Sequence, residues 1–450
     1  MSQSMPSFWD SPYFVPEPDN WHLTEDAPEE LKKEFAEGLH DQRLKEIYVD
    51  EKRVPYNRER YIKALDRFKE LYGDKPVVIF SAPGRSEVCG NHTDHQNGQV
   101  LATSINLDAI AVVSPETDNT IRLVSDNMPE EVIDVTDIDK KPEEEGTTTA
   151  LIKGVAAGIK RDGHEIGGFT AFITSDVLMG AGMSSSAAFE SLIGTILSGL
   201  YNDMKVSSVD IAKIGQYAEN YYFGKPCGLM DQMACAVGGL IYINFYEKEN
   251  PVIRQVPCDF EAHQYSLCIV DTKGSHADLT DDYAAIPVEM KQVAEYFGKE
   301  LLSRVTPEEF IAAVPALREK LSDRAVLRAL HYYTEQARVA EGVTALEAGE
   351  FDHFLDVIKR SGDSSSKLLQ NIYSTKDVHT QNVTVALGFS EYFLGENGVC
   401  RVHGGGFAGT IQAFVKNAAV ADYKSSIEKI FGEGSCHVLK VRPYGGIKVM

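Results

Sequence analysis

The chain of 450 residues is poor in tryptophan and in cations, and none of its cysteines are paired by spacing. The seven cysteines (Cys89, Cys227, Cys235, Cys258, Cys268, Cys400 and Cys436) are odd in number and scattered, with no Cys-x-x-Cys. That pattern argues against a disulfide framework or a zinc site. Lysine and arginine total 44 against 67 aspartates and glutamates, a formal net charge of −23. Non-specific nucleic-acid binding and docking on anionic lipid both need a basic face, so both are disfavoured. A small positive pocket for a polyanion can still sit within such a surface. No apolar run approaches membrane-spanning length, and Met1-Ser2-Gln3-Ser4-Met5-Pro6 lacks the basic start and apolar core of a signal peptide. The expectation is a cytoplasmic protein, monomer or small homo-oligomer, that engages neither nucleic acid nor membrane.

What the chain does have is enough apolar sequence, 43%, to fill more than one core at this length. Residues 1–73 read as a polar N-terminal extension holding Pro6, Pro12, Pro16, Pro18 and both tryptophans, Trp9 and Trp21, with helices predicted over 28–39 and 57–72. In the second helix Tyr61, Leu65, Phe68 and Leu71 form a stripe. Strand-like runs are predicted at 77–80, 169–173, 240–246 and 266–271, amphipathic helices over 287–372, and β-like sequence at 400–415 and 438–441. Residues 140–146 read as a solvated turn. The expected organisation is α+β with two domains, 74–245 and 246–450.

Three glycine-rich segments carry the chemistry. The middle one, Gly180-Ala181-Gly182-Met183-Ser184-Ser185-Ser186, lies between a predicted strand and a helix marked by Leu192, Ile193, Ile196, Leu197 and Leu200. Such a loop lets backbone N–H groups at a helix start approach a polyanion, and its serines can cap them. It lacks the Gly-Lys-Ser/Thr ending of a P-loop, and a capped helix after a flexible loop explains the segment equally well. The others run from Gly84-Arg85 to Gly90-Asn91-His92-Thr93-Asp94-His95, and from His403 through Gly404-Gly405-Gly406 to Gly409. Between the second and third lies Cys227-Gly228-Leu229-Met230-Asp231-Gln232, whose aspartate is either a carboxylate for orienting a hydroxyl or a helix cap.

Taken in order, these segments resemble the galactokinase family of the galactose, homoserine, mevalonate and phosphomevalonate (GHMP) kinases, over roughly residues 75 to 450. The family patterns are Gly-Arg-x-Asn-x-Ile-Gly-Glu-His-Thr-Asp-Tyr, Gly-Leu-Ser-Ser-Ser-Ala, Cys-Gly-Ile-Met-Asp-Gln and Gly-Gly-Gly-Phe-Gly-Gly. The resemblance implies a two-domain GHMP-kinase-like fold with the active site in the cleft between domains, and ATP-dependent phosphorylation of a sugar at its anomeric hydroxyl, galactose first among candidates. It makes Asp231 the carboxylate facing that hydroxyl, as base or orienting acceptor, and Arg85 the neutralising charge. Arg85, Asn91, His92, Asp94, Gly228, Asp231 and Tyr283 would bind the sugar. Gly180, Gly182, Met183, Ser184, Ser185 and Ser186, with Gly404, Gly405 and Gly406, would bind ATP, and Ser186 and Glu219 would hold Mg²⁺, which demands hard oxygen ligands.

The chain departs from the pattern at Glu87, Asn91, His95, His403 and Ala408. The family's glutamate at position 91 contacts the distal end of the sugar, so Asn91 is expected to bear on specificity and keeps a galacturonate or pentose kinase in view. A non-catalytic sugar and ATP sensor is disfavoured by the intact Ser184-Ser185-Ser186 run and Asp231. A mevalonate or homoserine kinase is disfavoured by His92-Thr93-Asp94, because several sugar hydroxyls need several polar partners.

Overall fold

The computed structural model describes residues 28–126, 128–178, 182–247, 250–274 and 279–450, so the early prolines and both tryptophans lie outside the described residues. Three helices come first, α1 (Pro28–Ala36), α2 (Asp41–Tyr48) and α3 (Val54–Tyr72). The sequence predicts two of these. Then follow β1 (Val78–Cys89), β2 (Gln99–Pro115), β3 (Thr120–Ser125), β4 (Glu131–Asp134), α4 (Thr148–Arg161), β5 (Phe169–Ser175), α5 (Ser185–Tyr201) and α6 (Ser208–Tyr217). A wide π-helical turn at Ala218–Phe223 leads to α7 (Met230–Val237), β6 (Leu240–Asn244), β7 (Val252–Gln255) and β8 (Tyr265–Asp271). The remainder comprises α8 (Thr280–Tyr296), α9 (Pro307–Lys320), α10 (Asp323–Glu347), α11 (Phe351–Ser364), α12 (Asn382–Leu394), β9 (Gly398–His403), β10 (Thr410–Lys416), α13 (Val420–Phe431), β11 (Cys436–Leu439) and β12 (Ile447–Lys448).

The strands form two sheets, in the α+β arrangement the sequence leads one to expect. The first runs β12-β1-β2-β5-β3-β4, with β6 and β7 continuing from the other half of β2. The second is β11-β8-β10-β9, antiparallel throughout. Because β12 pairs with β1 at Phe80 and Ser81, the last residues of the chain return to the first sheet.

Side-chain alternation explains the layering. Val78, Phe80, Ala109, Ala111 and Val113 face a core completed by α4 to α7, while Ile79, Ile110 and Val112 face one completed by α1 to α3. Strands buried on both faces read as continuous apolar runs without alternation. The stripe of α3 inserts Tyr61, Leu65 and Phe68, each fully buried, into the second of these cores, with Leu71 at its margin. At about 1.5–3 kcal/mol per buried apolar side chain, this helix is a structural layer and not a polar lead-in. A buried ion cluster fastens it further. Asp108 on β2 pairs with Arg60 of α3 at 2.5 Å and with Arg442 near the C-terminus at 2.8 Å, and accepts hydrogen bonds from Tyr48 and Ser81.

The two sheets meet through a shared apolar cluster in which Val88, Leu101, Met183 and Ala187 from the first half pack with Leu267, Ile269, Val339 and Phe414 from the second. No helix among the described residues is long and apolar enough to cross a membrane.

Candidate active site

The three glycine-rich segments converge beside this shared cluster. On β1 the pairing with β2 shifts register between Pro83 and Arg85, a bulge that re-aims the arginine. Gly84 permits it: a Cβ there would lie 2.8 Å from the Met183 carbonyl oxygen, so the strand could not come this close to the serine loop with a side chain. The Arg85 backbone N–H donates to that same carbonyl at 3.1 Å.

Arg85 then forks onto Asp231, at the start of α7. Nε donates to Oδ1 at 2.7 Å and Nη2 to Oδ2 at 2.8 Å, while Nη1 donates to the Gly182 carbonyl. The arginine is nearly buried, whereas the Asp231 side chain is one-third exposed (33%). Burial works against ionisation of Asp231, but the Arg85 charge and its two hydrogen bonds, with a third from Ser184 Oγ at 2.5 Å, outweigh it and hold the carboxyl below the ordinary aspartate range. Ser184 therefore differs from the capping expectation. It sits at the N-cap of α5 with left-handed backbone (φ 56) and spends its hydroxyl on Asp231, so no side-chain cap covers the first N–H groups of α5. Those donors, on half-buried Ser185 and Ser186 beside Gly182 and buried Met183, are free for an anion. Gly180 lies outside the described residues.

Behind the helix start, Ser186 Oγ lies 3.2 Å from Glu219 Oε1 on the π-helical turn. Glu219 also accepts from Lys225 at 2.9 Å and from Gln232 at 2.8 Å. Gln232 reaches on to Glu190, at 3.1 Å, whose carboxyl burial and the nearby Glu219 charge push well above the usual carboxylate range. Among the described residues no group of three or more His, Cys, Asp or Glu could enclose a metal. A hydroxyl and a carboxylate side by side fit Mg²⁺ of the kind that keeps water and phosphate in its shell.

On the other side of Asp231 stand His92, Asp94, Gly228 and Tyr283. A Cβ on Gly228 would collide with Asp94 Oδ2. His92, with φ 57, donates from Nε2 to the Gly405 carbonyl at 2.9 Å, and its ring lies 5.4 Å from Tyr283. Burial and the Glu87 charge push Asp94 up to about 6. Gly405 abuts Tyr283 so closely that a Cβ would enter the ring. The third glycine segment thus spans the site: Gly404, Gly405 and Gly406 lie on the side of His92 and Tyr283, while His403 and Thr410 at its ends lie against Gly182.

Asn91 does not open to this space. It is fully buried, and its amide is committed to protein partners. Glu87 is also buried, paired with Arg401 at 2.9 Å. Residues that sequence reasoning passed over are Glu190 and Gln232, although Gln232 directly follows Asp231 in the motif, and Asn371, which no motif marks.

Against known families, residues 66–115 match the galactokinase galactose-binding signature and residues 150–239 the GHMP kinases N terminal domain. A galactokinase of Streptomyces coelicolor is 30% identical over 366 residues, covering 81% of this chain and 92% of that protein. One of Actinobacillus pleuropneumoniae serotype 5b is 31% identical over 359 residues, covering 79% and 90%. Among solved structures, Lactococcus lactis galactokinase complexed with galactose superposes with a TM-score of 0.72 at 24% identity, over 85% of this chain and 98% of that one. The Methanococcus jannaschii mevalonate kinase gives 0.57 at 15% identity, over 81% and 98%.

Proposed function

The chain belongs to the galactokinase family, and we propose that it transfers the γ-phosphoryl group of ATP to the anomeric hydroxyl of galactose, giving ADP and galactose 1-phosphate. The observation that carries this reading is the Arg85–Asp231 fork, partly open to the cleft and set against the uncapped start of α5.

The chemistry follows from that arrangement. Asp231, held ionised, accepts the hydrogen bond of the anomeric hydroxyl and so aims the oxygen at phosphorus. As the new O–P bond forms and the bond to ADP breaks, the hydroxyl proton passes to the carboxylate. Arg85 keeps its charge throughout and offsets the negative charge gathering between carboxylate and phosphoryl group. The N–H groups at the start of α5 and in the Gly182–Ser186 loop hold phosphate oxygens. Ser186 and Glu219 would hold Mg²⁺, which would supply charge neutralisation to the phosphates. His92, Asp94, Tyr283 and the backbone at Gly228 offer the several polar partners a hexose requires.

The test is ADP release with ATP and Mg²⁺ across galactose, 2-deoxygalactose, galactosamine, galacturonate, arabinose, fucose and glucose. Turnover is expected to be strongest with galactose, and Asp231→Ala to lower it by about a hundredfold or more. Binding of sugar and ATP without ADP release would instead mark a non-catalytic sensor, and near-normal turnover by the variant would remove Asp231 from its role.

A further inference from the structure

Asn91 lies in the interior at a crossing of four chain segments. Its Nδ2 donates to Glu87 Oε1 at 3.0 Å and to the Gly404 carbonyl at 2.7 Å. Its Oδ1 accepts from Asn371 Nδ2 at 2.9 Å and from Ser365 Oγ at 3.3 Å. Two acceptors face one end of the amide and two donors the other, which fixes its orientation and uses its full capacity of two donated and two accepted bonds. The backbone carbonyl of Asn91 faces His331 Nε2 at 2.9 Å. Asn371 also reaches the Gly405 carbonyl, at 3.2 Å, and its own carbonyl accepts from the Phe407 N–H.

We propose that Asn91 is a positioning residue that latches the Gly404–Gly406 loop beneath the sugar, and that it does not read the substrate. The loop it holds is the one whose Gly405 carbonyl meets His92 and whose backbone abuts Tyr283. Releasing Gly404 therefore disturbs the hydroxyl-binding side while leaving Arg85, Asp231 and the serine loop in place. This inference rests on the kinase reading above, whose own failure shows separately, as absence of turnover in the unaltered enzyme.

Chemistry limits what can replace Asn91. Aspartate has the same shape but donates nothing, so it unlatches Gly404 and sets a second carboxylate against Glu87, whose one cationic partner in the cluster is Arg401. The companion change Glu87→Gln relieves that repulsion by returning the cluster to one carboxylate and one guanidinium. It cannot return a donor to Gly404.

The experiment compares the full-length wild type, Asn91→Asp, and the double variant Glu87→Gln/Asn91→Asp for thermal midpoint, KM for galactose, KM for ATP, and relative rates across the sugar panel. Asn91→Asp is expected to lower the midpoint and raise KM for galactose by tenfold or more, with KM for ATP within threefold. The double variant is expected to regain most of the midpoint while KM for galactose stays high, and all three proteins to rank the sugars alike. Recovery of midpoint and KM together in the double variant overturns the latch, because the role would then be charge balance alone. A changed ranking of sugars that differ at C6 overturns it too, since Asn91 would then face the substrate, as does a loss confined to KM for ATP. If Asn91→Asp does not fold, Asn371→Ala takes its place, removing one of the two bonds to Asn91 Oδ1 and one to the Gly405 carbonyl. It must raise KM for galactose with the same ATP and ranking controls, and an unchanged KM overturns the proposal.

Discussion

Replacing Arg85 with alanine tests whether the fork onto Asp231 sets both the rate and its pH dependence. The substitution removes two charge-assisted hydrogen bonds to the carboxylate, at 2.7 and 2.8 Å, together with the tie to Gly182. A hydrogen bond to a charged group contributes about 1.5–3 kcal/mol, so two felt at the transition state correspond to about 3–6 kcal/mol. At about 1.4 kcal/mol per decade this is a loss in kcat of about 10²- to 10⁴-fold. The pH profile of kcat at saturating sugar supplies the second readout. In the proposed role Asp231 works ionised, so activity is expected to fall as pH drops through its pKa. In the wild type, with that pKa depressed, the acid limb lies below the ordinary aspartate value of about 3.9. Without Arg85 the burial that opposes ionisation is no longer outweighed, and the limb moves upward past that value. Arg85→Lys keeps a charge but cannot span both carboxylate oxygens, so it falls between wild type and alanine on both measures. Stopped ADP-release assays from about pH 3 to 8, corrected for reversible inactivation, decide the matter. A kcat within tenfold of wild type, or an acid limb that does not move in Arg85→Ala, refutes the reasoning.

In the proposed sugar site Asp94, pushed up to about 6, is a stronger acceptor as the carboxylate than as the acid, so KM for galactose is expected to rise as pH falls through about 6 while saturating kcat holds; Asp94→Asn should abolish that step. Asp108→Asn leaves Arg442 without a carboxylate in the interior and Arg60 with only Asp176, at 3.6 Å, which breaks a buried pair and costs about 3–5 kcal/mol. A urea or thermal midpoint indistinguishable from wild type would show that the cluster does not fasten α3 to the sheet. Glu219→Gln keeps its shape but weakens a hard anionic donor, so the Mg²⁺ needed for half-maximal rate should rise by tenfold or more, about 1.4 kcal/mol, with KM for galactose unchanged; titration of Mg²⁺ at fixed ATP checks it.

Local signals carried the elements whose periods are simple. The helix predicted from Leu192, Ile193, Ile196, Leu197 and Leu200 is α5, whose first four such residues are fully buried and whose Leu200 packs at the margin. The run at 169–173 lies within β5, and 77–80 opens β1. The predicted run at 400–415 is two strands with the glycine segment as the turn between them. The 17-residue β2 went unread because it is buried on both faces and shows no alternation. Helix α2 was missed because only Leu44, Ile47 and Tyr48 face its core. Calling residues 1–73 a polar extension undervalued α3, whose importance comes from Asp108 and Arg442, 48 and 382 positions away from Arg60 in sequence. Such partners leave no local trace.

The glycine segments show where motif reading ends and geometry takes over. A serine run before a helix suggests capping, yet Ser184 turns to Asp231, and only the fold brings that carboxylate within reach. A changed residue beside His92 suggests altered recognition, yet Asn91 faces Glu87, Gly404, Ser365 and Asn371, drawn from three places in the chain. In both cases the residue type was informative and its partner was not. An amide with four bonds made inside the protein has none left for a hydroxyl, so a difference in specificity at this site must be sought in side chains that still have unused capacity facing the cleft, with Asp94 and Tyr283 first among them. The exchange of acid and amide at positions 87 and 91 then acts on sugar binding through the placement of the Gly404–Gly406 loop.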